Sequence, residues 1–420
     1  MRIFNFFCEI FLIVYNNEIY ISLLENVLQG QINLGIIYME GKYIPRNINK
    51  SIYYFAKAAN ARNVVAQFIL GTIYFTDEYI PRDIDKAIYY FTEAAKQNNK
   101  QAQYNLGYIY SKDVFTTRDM NKAIYFYSLA ADQNEVNSQY NLGIIYAKGQ
   151  YVFRDINKAI FYFTLAAKQN HAMAQYNLGS IYNHYGYDFR DINKAIHYYT
   201  LAADQNISSA QHNLGIIYEK GEGVSQDINK AIHYYTLAAD QGDSFAQYNL
   251  GLIYEKGEYV SQDINKTIHY YTLAADQDHI FAQYNLGLIY EKGELVPQDI
   301  NKAIYYYTLA ANQEYPLAQY NLGVIYESGI FIPKDIPRAI YYYKLASDQN
   351  IEDAQLNLGI IYLSRNINKA LHYFELAANQ NNSNALYNLG VIYSSNKYIS
   401  QDIKKSIYYF TEAANQNDEK

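Results

Sequence analysis

The chain has 420 residues, 50% of them hydrophobic, and its 34 Lys and Arg against 41 Asp and Glu leave a net charge of -7. The basic residues are spread thinly and form no basic stripe, so nucleic acid is not an expected partner. A single cysteine, Cys8, excludes an intramolecular disulfide framework, and the 51 tyrosines, with abundant Asn, Ile and Lys, fit an AT-rich codon bias better than a prion-like composition.

The first 27 residues carry an apolar run from Ile3 to Tyr15, broken by Asn5 and Glu9. The run is too short to span a bilayer, and no small-residue cleavage site follows it. Residues 1-27 are therefore expected to be a non-repeat capping helix, with a signal peptide as the alternative reading. A cytoplasmic setting follows from the first and the endoplasmic reticulum from the second.

From residue 28 to 418 the pattern changes. Leu-Gly-x-Ile-Tyr recurs eleven times, around Gly35, Gly71, Gly107, Gly143, Gly179, Gly215, Gly251, Gly287, Gly323, Gly359 and Gly390, almost always 36 residues apart. A fixed period of this length marks one supersecondary unit that cannot bury its apolar face alone and stacks on copies of itself. Units are expected to start near 28, 64, 100, 136, 172, 208, 244, 280, 316, 352 and 383. The predicted fold is all-α, a right-handed superhelical α/α solenoid of about eleven helix-turn-helix repeats.

The copy from Ser244 to His279 serves for all. Ala246, Leu250, Ile253 and Tyr254 share one face, so residues 245-256 read as an amphipathic helix. Gly257 ends it as a left-handed cap. Asp263 opens the second helix, because a short acceptor side chain satisfies free N–H groups of the first turn. Asp227, Asp299, Asp83, Asp119, Asp155, Asp191, Asp335 and Asp402 hold the same slot, with Asn47 and Asn366 as equivalents, so these residues are caps and not catalytic acids. Ile264, Ile268, Tyr271, Ala274 and Ala275 face inward, and the unit closes at Gly242, Asn98, Asn134, Asn170, Asn206 or Asn350 in other copies, residues that tolerate a left-handed turn.

Gly251, like its counterparts Gly215 and Gly287, sits inside a helix, where glycine costs about 1 kcal/mol relative to alanine. Close approach of another helix is the expected compensation, with the small residues Ala303, Ala310 and Ala311 of the next copy allowing it. In the tenth unit five residues are missing between Tyr362 and Asn366. A bend or weak joint is expected there.

The unit Ser208 to Asp243, with Gly221, Gly223, Val224, Asp227, Lys230, Ala231, Tyr235, Ala238 and Ala239 at their spacings, resembles the Sel-1-like repeat. That resemblance, over about nine tenths of the chain, implies a helical relative of the tetratricopeptide arrays and an adaptor that holds protein complexes together. The family includes the substrate-handling subunit of ubiquitin ligases in endoplasmic reticulum-associated degradation, which is a second functional reading. A third is a repeat segment of a longer signalling enzyme. The family's frequent Trp is Tyr or Phe here, and the second Gly of the turn is usually replaced, as by Tyr151 and Tyr259.

No enzyme, cofactor or metal is expected, because evenly spaced copies of one residue do not converge on one point. His197, His233, His269 and His372 recur one unit apart, roughly 8 to 10 Å between packed helices, too far to share a zinc ion. They occupy the slot of Tyr89, Tyr125, Phe161 and Tyr305, which points to aromatic packing. The sharper candidate is the Asn two residues before the repeated Gly: Asn105, Asn141, Asn177, Asn213, Asn249, Asn285, Asn321 and Asn357. An amide offers donor and acceptor to a peptide backbone while ignoring its side chains. In the related tetratricopeptide arrays a similar ladder grips an extended peptide, and Tyr248 and Tyr284, one residue earlier, would add aromatic contacts. Bonding between adjacent units, or plain solvation, would equally account for these asparagines. The expected partners are other proteins or extended peptides, with no stable membrane span.

Overall fold

A computed structural model describes residues 27–76, 78–184 and 190–418. Apart from Val27, the segment expected to cap the array lies outside the described residues, as does Cys8. Among the described residues there are twenty-two helices and no strand. Contacts divide the chain into two compact units, Met1–Ile207 and Ser208–Lys420.

In the first unit the helices run α1 (Val27–Glu40), α2 (Ile48–Asn60), α3 (Val64–Phe75), α4 (Ile84–Ala95), α5 (Lys100–Tyr110), α6 (Met120–Asp132), α7 (Val136–Lys148), α8 (Ile156–Lys168), α9 (Ala172–Asn183) and α10 (Ile192–Ala203). The second holds α11 (Ser208–Lys220), α12 (Ile228–Asp240), α13 (Ser244–Lys256), α14 (Ile264–Ala275), α15 (Ile280–Lys292), α16 (Ile300–Asn312), α17 (Pro316–Ser328), α18 (Ile336–Asp348), α19 (Glu352–Leu363), α20 (Ile367–Ala378), α21 (Ser383–Ser394) and α22 (Ile403–Asp418). Odd-numbered helices are the first of each pair. Within each unit the pairs stack as an α/α solenoid, each helix packing on the one before and the one after it in the chain.

The core is shared between neighbouring pairs, as stacking requires. Ala231, Tyr235, Ala238 and Ala239 of α12 are buried together with Ala246, Leu250 and Ile253 of α13, the first helix of the next pair. Full burial of a Leu, Ile or aromatic side chain contributes about 1.5 to 3 kcal/mol, so the junctions between pairs, and not only the hairpins, carry stabilisation. Buried glutamines, which the sequence reading passed over, tie these junctions. Gln247 Nε2 donates to Ala239 O of the preceding pair (3.1 Å), and its Oε1 accepts from Gln277 Nε2 at the end of its own pair (2.8 Å). Gln103 and Gln283 make the same two bonds.

The caps fall where the local chemistry places them. Asp227, Asp263 and Asp299 accept from the backbone N–H three residues on, at 3.0, 3.1 and 3.0 Å. The lysine that supplies this N–H also lies over a tyrosine of the first helix, as Lys266 Nζ does at 4.5 Å from the Tyr254 ring centre. Gly257 takes φ of 64° as the left-handed stop of α13. The closing turns are left-handed at Asn98, Asn134, Asn170, Asn206, Asn350 and Gly242, and also at Arg62, Asp278 and Glu314, where residue type gave no hint.

Two expectations are revised. The atom that would meet a side chain at Gly251 belongs to an aromatic ring of the same pair and not to the alanines of the next: an added Cβ would stand 2.4 Å from Tyr271 Cδ1. All eleven repeated glycines, Gly35 to Gly390, face such a ring, the nearest ring atom standing 2.4 to 2.7 Å from an added Cβ. Ala303, Ala310 and Ala311 instead pack with Ala318, Leu322 and Ile325 of the following pair. The shortened tenth unit also keeps its register. Asn366 N donates to Tyr362 O at 2.7 Å, as Asp263 N does to Tyr254 O, and the Tyr362 and Tyr373 rings stack at 5.8 Å like those of the other pairs. The missing residues come from the turn, which projects from the stack, so the packing of the two helices is unaffected.

Gly251→Ala is expected to destabilise. Alanine's helix propensity favours it by about 1 kcal/mol, but the fully buried Tyr271 ring has no room to retreat, and overpacking of this kind costs about 1 to 3 kcal/mol. Urea unfolding would show the midpoint falling, more steeply still for Gly251→Leu. A second expectation concerns acid. His279 Nδ1 caps α15 by accepting from Ala282 N (3.3 Å), and His171 Nδ1 caps α9 in the same way (3.1 Å). Burial, partly opposed by the Asp243 and Glu135 carboxylates, holds both imidazoles below their usual value. The neutral form is thus favoured by folding, so this stability is complete above about pH 6.5 and is lost as pH falls below it. Replacing both by Asn, which caps α3 and α5 from the same position, should flatten the stability profile below about pH 6.5.

Candidate protein-interaction site

The candidate surface is the face of the first helices that the core leaves uncovered. In α13 the inward stripe is Ala246, Gln247, Leu250 and Ile253, which leaves Phe245, Tyr248, Asn249, Leu252 and Lys256 along the other side. Asn105, Asn141, Asn177, Asn213, Asn249, Asn285, Asn321 and Asn357 are all half-buried on this side of their helices.

Several of the amides are partly committed to the protein. Asn285 Nδ2 donates to Tyr271 OH (3.2 Å) and Asn357 Nδ2 to Tyr343 OH (3.1 Å), each reaching back to the preceding pair. Asn249 Nδ2 meets His212 Nε2 at 3.2 Å, and Asn177 Nδ2 is buried without a partner. The tyrosine hydroxyls in turn donate to carboxylates of their own first helix. The pairs are Tyr235 with Glu219, Tyr271 with Glu255, Tyr307 with Glu291 and Tyr343 with Glu327, at 2.5 to 2.7 Å. Burial, reinforced by these carboxylates, raises all four tyrosines far above the ordinary phenol range. They are neutral donors at any pH the fold survives.

The carboxylate position, four residues after the repeated Gly, follows the ring chemistry. Where the ring is tyrosine it is polar: Ser111, Asn183, Glu219, Glu255, Glu291 and Glu327. Opposite the buried Phe55, Phe91, Phe163 and Phe374 it is Met39, Phe75, Ala147 and Leu363, and only in the last pair does a polar residue, Ser394, stand opposite a phenylalanine, the half-buried Phe410. A buried hydroxyl needs an acceptor, and a phenyl ring needs none. This pairing is visible in the sequence, but only once the two helices are known to bring the positions together.

Tyr248 and Tyr284 sit in an aromatic run along the second unit. Tyr248 stacks on His279 (4.6 Å) and lies 5.6 Å from Tyr271, while Tyr284 lies 5.7 Å from Tyr307 and 5.0 Å from Tyr315. Phe245 and Phe281 flank them, 61% and 46% exposed, and neither was singled out from the sequence. A signal did exist: six residues before the repeated Gly, otherwise near-identical copies vary through Val65, Gln101, Asn137, Met173, Ser209, Phe245, Phe281 and Leu317. His197, His233, His269 and His372 lie on the second helices, exposed, each touching only the edge of the following tyrosine at 5.1 to 5.2 Å. Among the described residues no three His, Cys, Asp or Glu side chains are grouped to hold a metal ion, and no helix is long and apolar enough to cross a membrane.

A stack of paired helices whose side chains repeat along one face defines the class of α/α repeat proteins that act as scaffolds for protein interaction. Within that class the assignment is specific, because a model of the Sel1 repeat matches residues 28–63, 64–99, 100–135, 136–171, 172–207, 208–243, 244–279, 280–315, 316–351, 352–382 and 383–418. The chain belongs to the Sel1 repeat family. Among solved structures it is similar to a protective antigen of uropathogenic Escherichia coli strains displaying an SLR fold, at 28% identity over 93% of this chain and 88% of that one, with a TM-score of 0.71. It is also similar to a Sel1 repeat protein from Oxalobacter formigenes, at 30% identity over 76% and 91% of the two chains, with a TM-score of 0.62. No curated protein matches it in sequence.

The Glu–Tyr pairing generates a double-substitution test. Glu255→Leu alone strands the Tyr271 hydroxyl and should cost about 1 to 3 kcal/mol. Combining it with Tyr271→Phe, which reproduces the Leu363 and Phe374 pair of the tenth unit, should recover most of that loss in urea unfolding. Additive losses would show that the two side chains act independently.

Proposed function

We propose that the chain is a non-catalytic adaptor that binds an extended peptide segment of a partner protein along the first helices of the Ser208–Lys420 unit. The observation that carries this reading is the juxtaposition of exposed Phe245 and Phe281 with half-buried Tyr248 and Tyr284, beside Asn213, Asn249, Asn285, Asn321 and Asn357. Rigid aromatic rings give contact area at low entropic cost and commonly anchor interfaces. The asparagines add backbone recognition. With Nδ2 of Asn285 and Asn357 turned to tyrosine hydroxyls, the amide oxygen is left to accept from the peptide N–H groups. The Glu–Tyr–Asn bonds hold those amides in one orientation, which lowers the entropy lost on binding.

Selection of a displayed random-peptide library on the purified protein should enrich extended sequences with apolar residues at alternate positions. Phe245→Ala with Phe281→Ala should weaken the selected peptides about tenfold or more, as should Asn213, Asn249 and Asn285 all replaced by Ala. Circular dichroism should show both variants folded. Undiminished binding by both would refute the surface assigned here.

A further inference from the structure

The third pair departs from pairs six to nine at two positions that lie together. In pairs six to nine the buried tyrosine donates to a glutamate of its own first helix. In the third pair the ring is still a tyrosine, Tyr127, only 2% exposed, but Ser111 stands at the glutamate position, with its Oγ 3.5 Å from the Tyr127 hydroxyl. The space a carboxylate fills elsewhere is part of a cavity of about 320 Å³ lined by Tyr127, Ser111, Asn141, Lys112, Lys148 and Arg118, among others.

The second departure is in the turn. Eleven residues after the repeated Gly, a side-chain nitrogen normally donates back to the backbone carbonyl at the glutamate position. Arg82 reaches Phe75 O (2.8 Å), Arg154 reaches Ala147 O (3.1 Å), and Gln226, Gln262 and Gln298 reach Glu219, Glu255 and Glu291 O (2.6 to 2.8 Å). Arg118 occupies this position in the third pair, and its Nε is buried with no partner. Its guanidinium instead pairs with Asp113 and donates to the Tyr151 hydroxyl. One wall of the cavity therefore holds an orphaned donor, and another a tyrosine without its carboxylate.

We propose that this cavity binds a carboxylate, which takes the place filled by the glutamate side chain in pairs six to nine. The same tyrosine and asparagine types that frame those glutamates, Tyr127 and Asn141, frame the cavity. Lys112, Lys148 and Arg118 bring three cations to its lining, in which no acid stands among the described residues; beside it Asp113 pairs with Arg118 and Asp119 caps α6 through Lys122 N. Glu135, a further acid nearby, is spent on capping α7 through Asn137 N and Ser138 N. A charged acceptor makes stronger bonds to such donors than a neutral one and relieves the cost of leaving them buried and unpaired. The cavity lies on the first-helix face beside Asn141, so it names an acidic anchor for a bound peptide, and only in that respect does it rest on the peptide-binding reading.

The test uses small probes on the full chain, read by calorimetry and ligand-detected NMR. Acetylglutamate amide offers a side-chain carboxylate, acetylalanine a C-terminal one, and acetylglutamine amide is the neutral control. At least one acid should bind saturably and the amide should not; which acid binds tells whether a partner's acidic side chain or its C-terminus is recognised. Ser111→Glu supplies the protein's own carboxylate, as in pairs six to nine, and should keep or raise the unfolding midpoint while weakening the acid about tenfold or more. Tyr127→Phe, a ring the same slot accepts at Phe91 and Phe163, should weaken it too. Replacing Asn213, Asn249 and Asn285 by Ala should leave acid binding intact, so failure of the peptide reading and failure of this one are separable. Absence of saturable binding by either acid, equal binding of the neutral control, or unchanged affinity in both Ser111→Glu and Tyr127→Phe would overturn the proposal.

Discussion

The contact on which the structure depends is an aromatic ring set directly against the backbone of a helix. It is possible only because glycine stands where the ring lands. Eleven rings, from Phe55 to Phe410, rest on eleven glycines, from Gly35 to Gly390, with no room for a methyl group. Close seating brings the second helix near enough for its alanines, such as Ala238 and Ala239, to bury Ala246 and Leu250 of the next pair. Buried glutamines such as Gln247 and Gln319 then tie the junctions through Ala239 O and Ala311 O, last-turn carbonyls that otherwise accept from the closing turn. Stability is thereby distributed along each unit and not gathered in one core.

The same ring contact also governs polarity. A phenyl ring can be buried among apolar neighbours, but a phenol brings a hydroxyl that must be satisfied, and the chain answers each tyrosine with Ser, Asn or Glu four residues after the glycine. The hydroxyls of Tyr271 and Tyr343 then serve two neighbours, donating to Glu255 and Glu327 and accepting from Asn285 and Asn357 of the next pair. Core chemistry thus reaches the surface at the asparagine ladder. Variation in the core becomes variation in the polar groups of that face, most visibly where Ser111 replaces glutamate.

Periodicity, caps and turn residues were legible from the chain alone because each is a local matter. Asp263 caps the helix it precedes, Gly257 ends the helix it follows, and Asn98 or Asn350 turns the chain within one or two residues. Left-handed Arg62 and Glu314 were not legible, since stacking forces that turn on whatever residue occupies it. The role of Gly251 was read in kind but not in partner: a helix-interior glycine announces a close approach, yet nothing local says whether backbone, alanine or ring arrives. Gln247 looked like one polar residue among many, because its two partners, Ala239 and Gln277, lie 8 residues before it and 30 after it.

The sequence by itself determined the repeating unit, its two helices and the caps and turns that join them, since these follow from hydrogen-bonding and steric preferences acting over a few residues. Only the tertiary structure decided which atoms fill each glycine's space, which carboxylate answers each buried phenol, and which amide groups are already committed. Those outcomes depend on distances between residues 14 to 37 positions apart. Such distances exist only after the helices have packed.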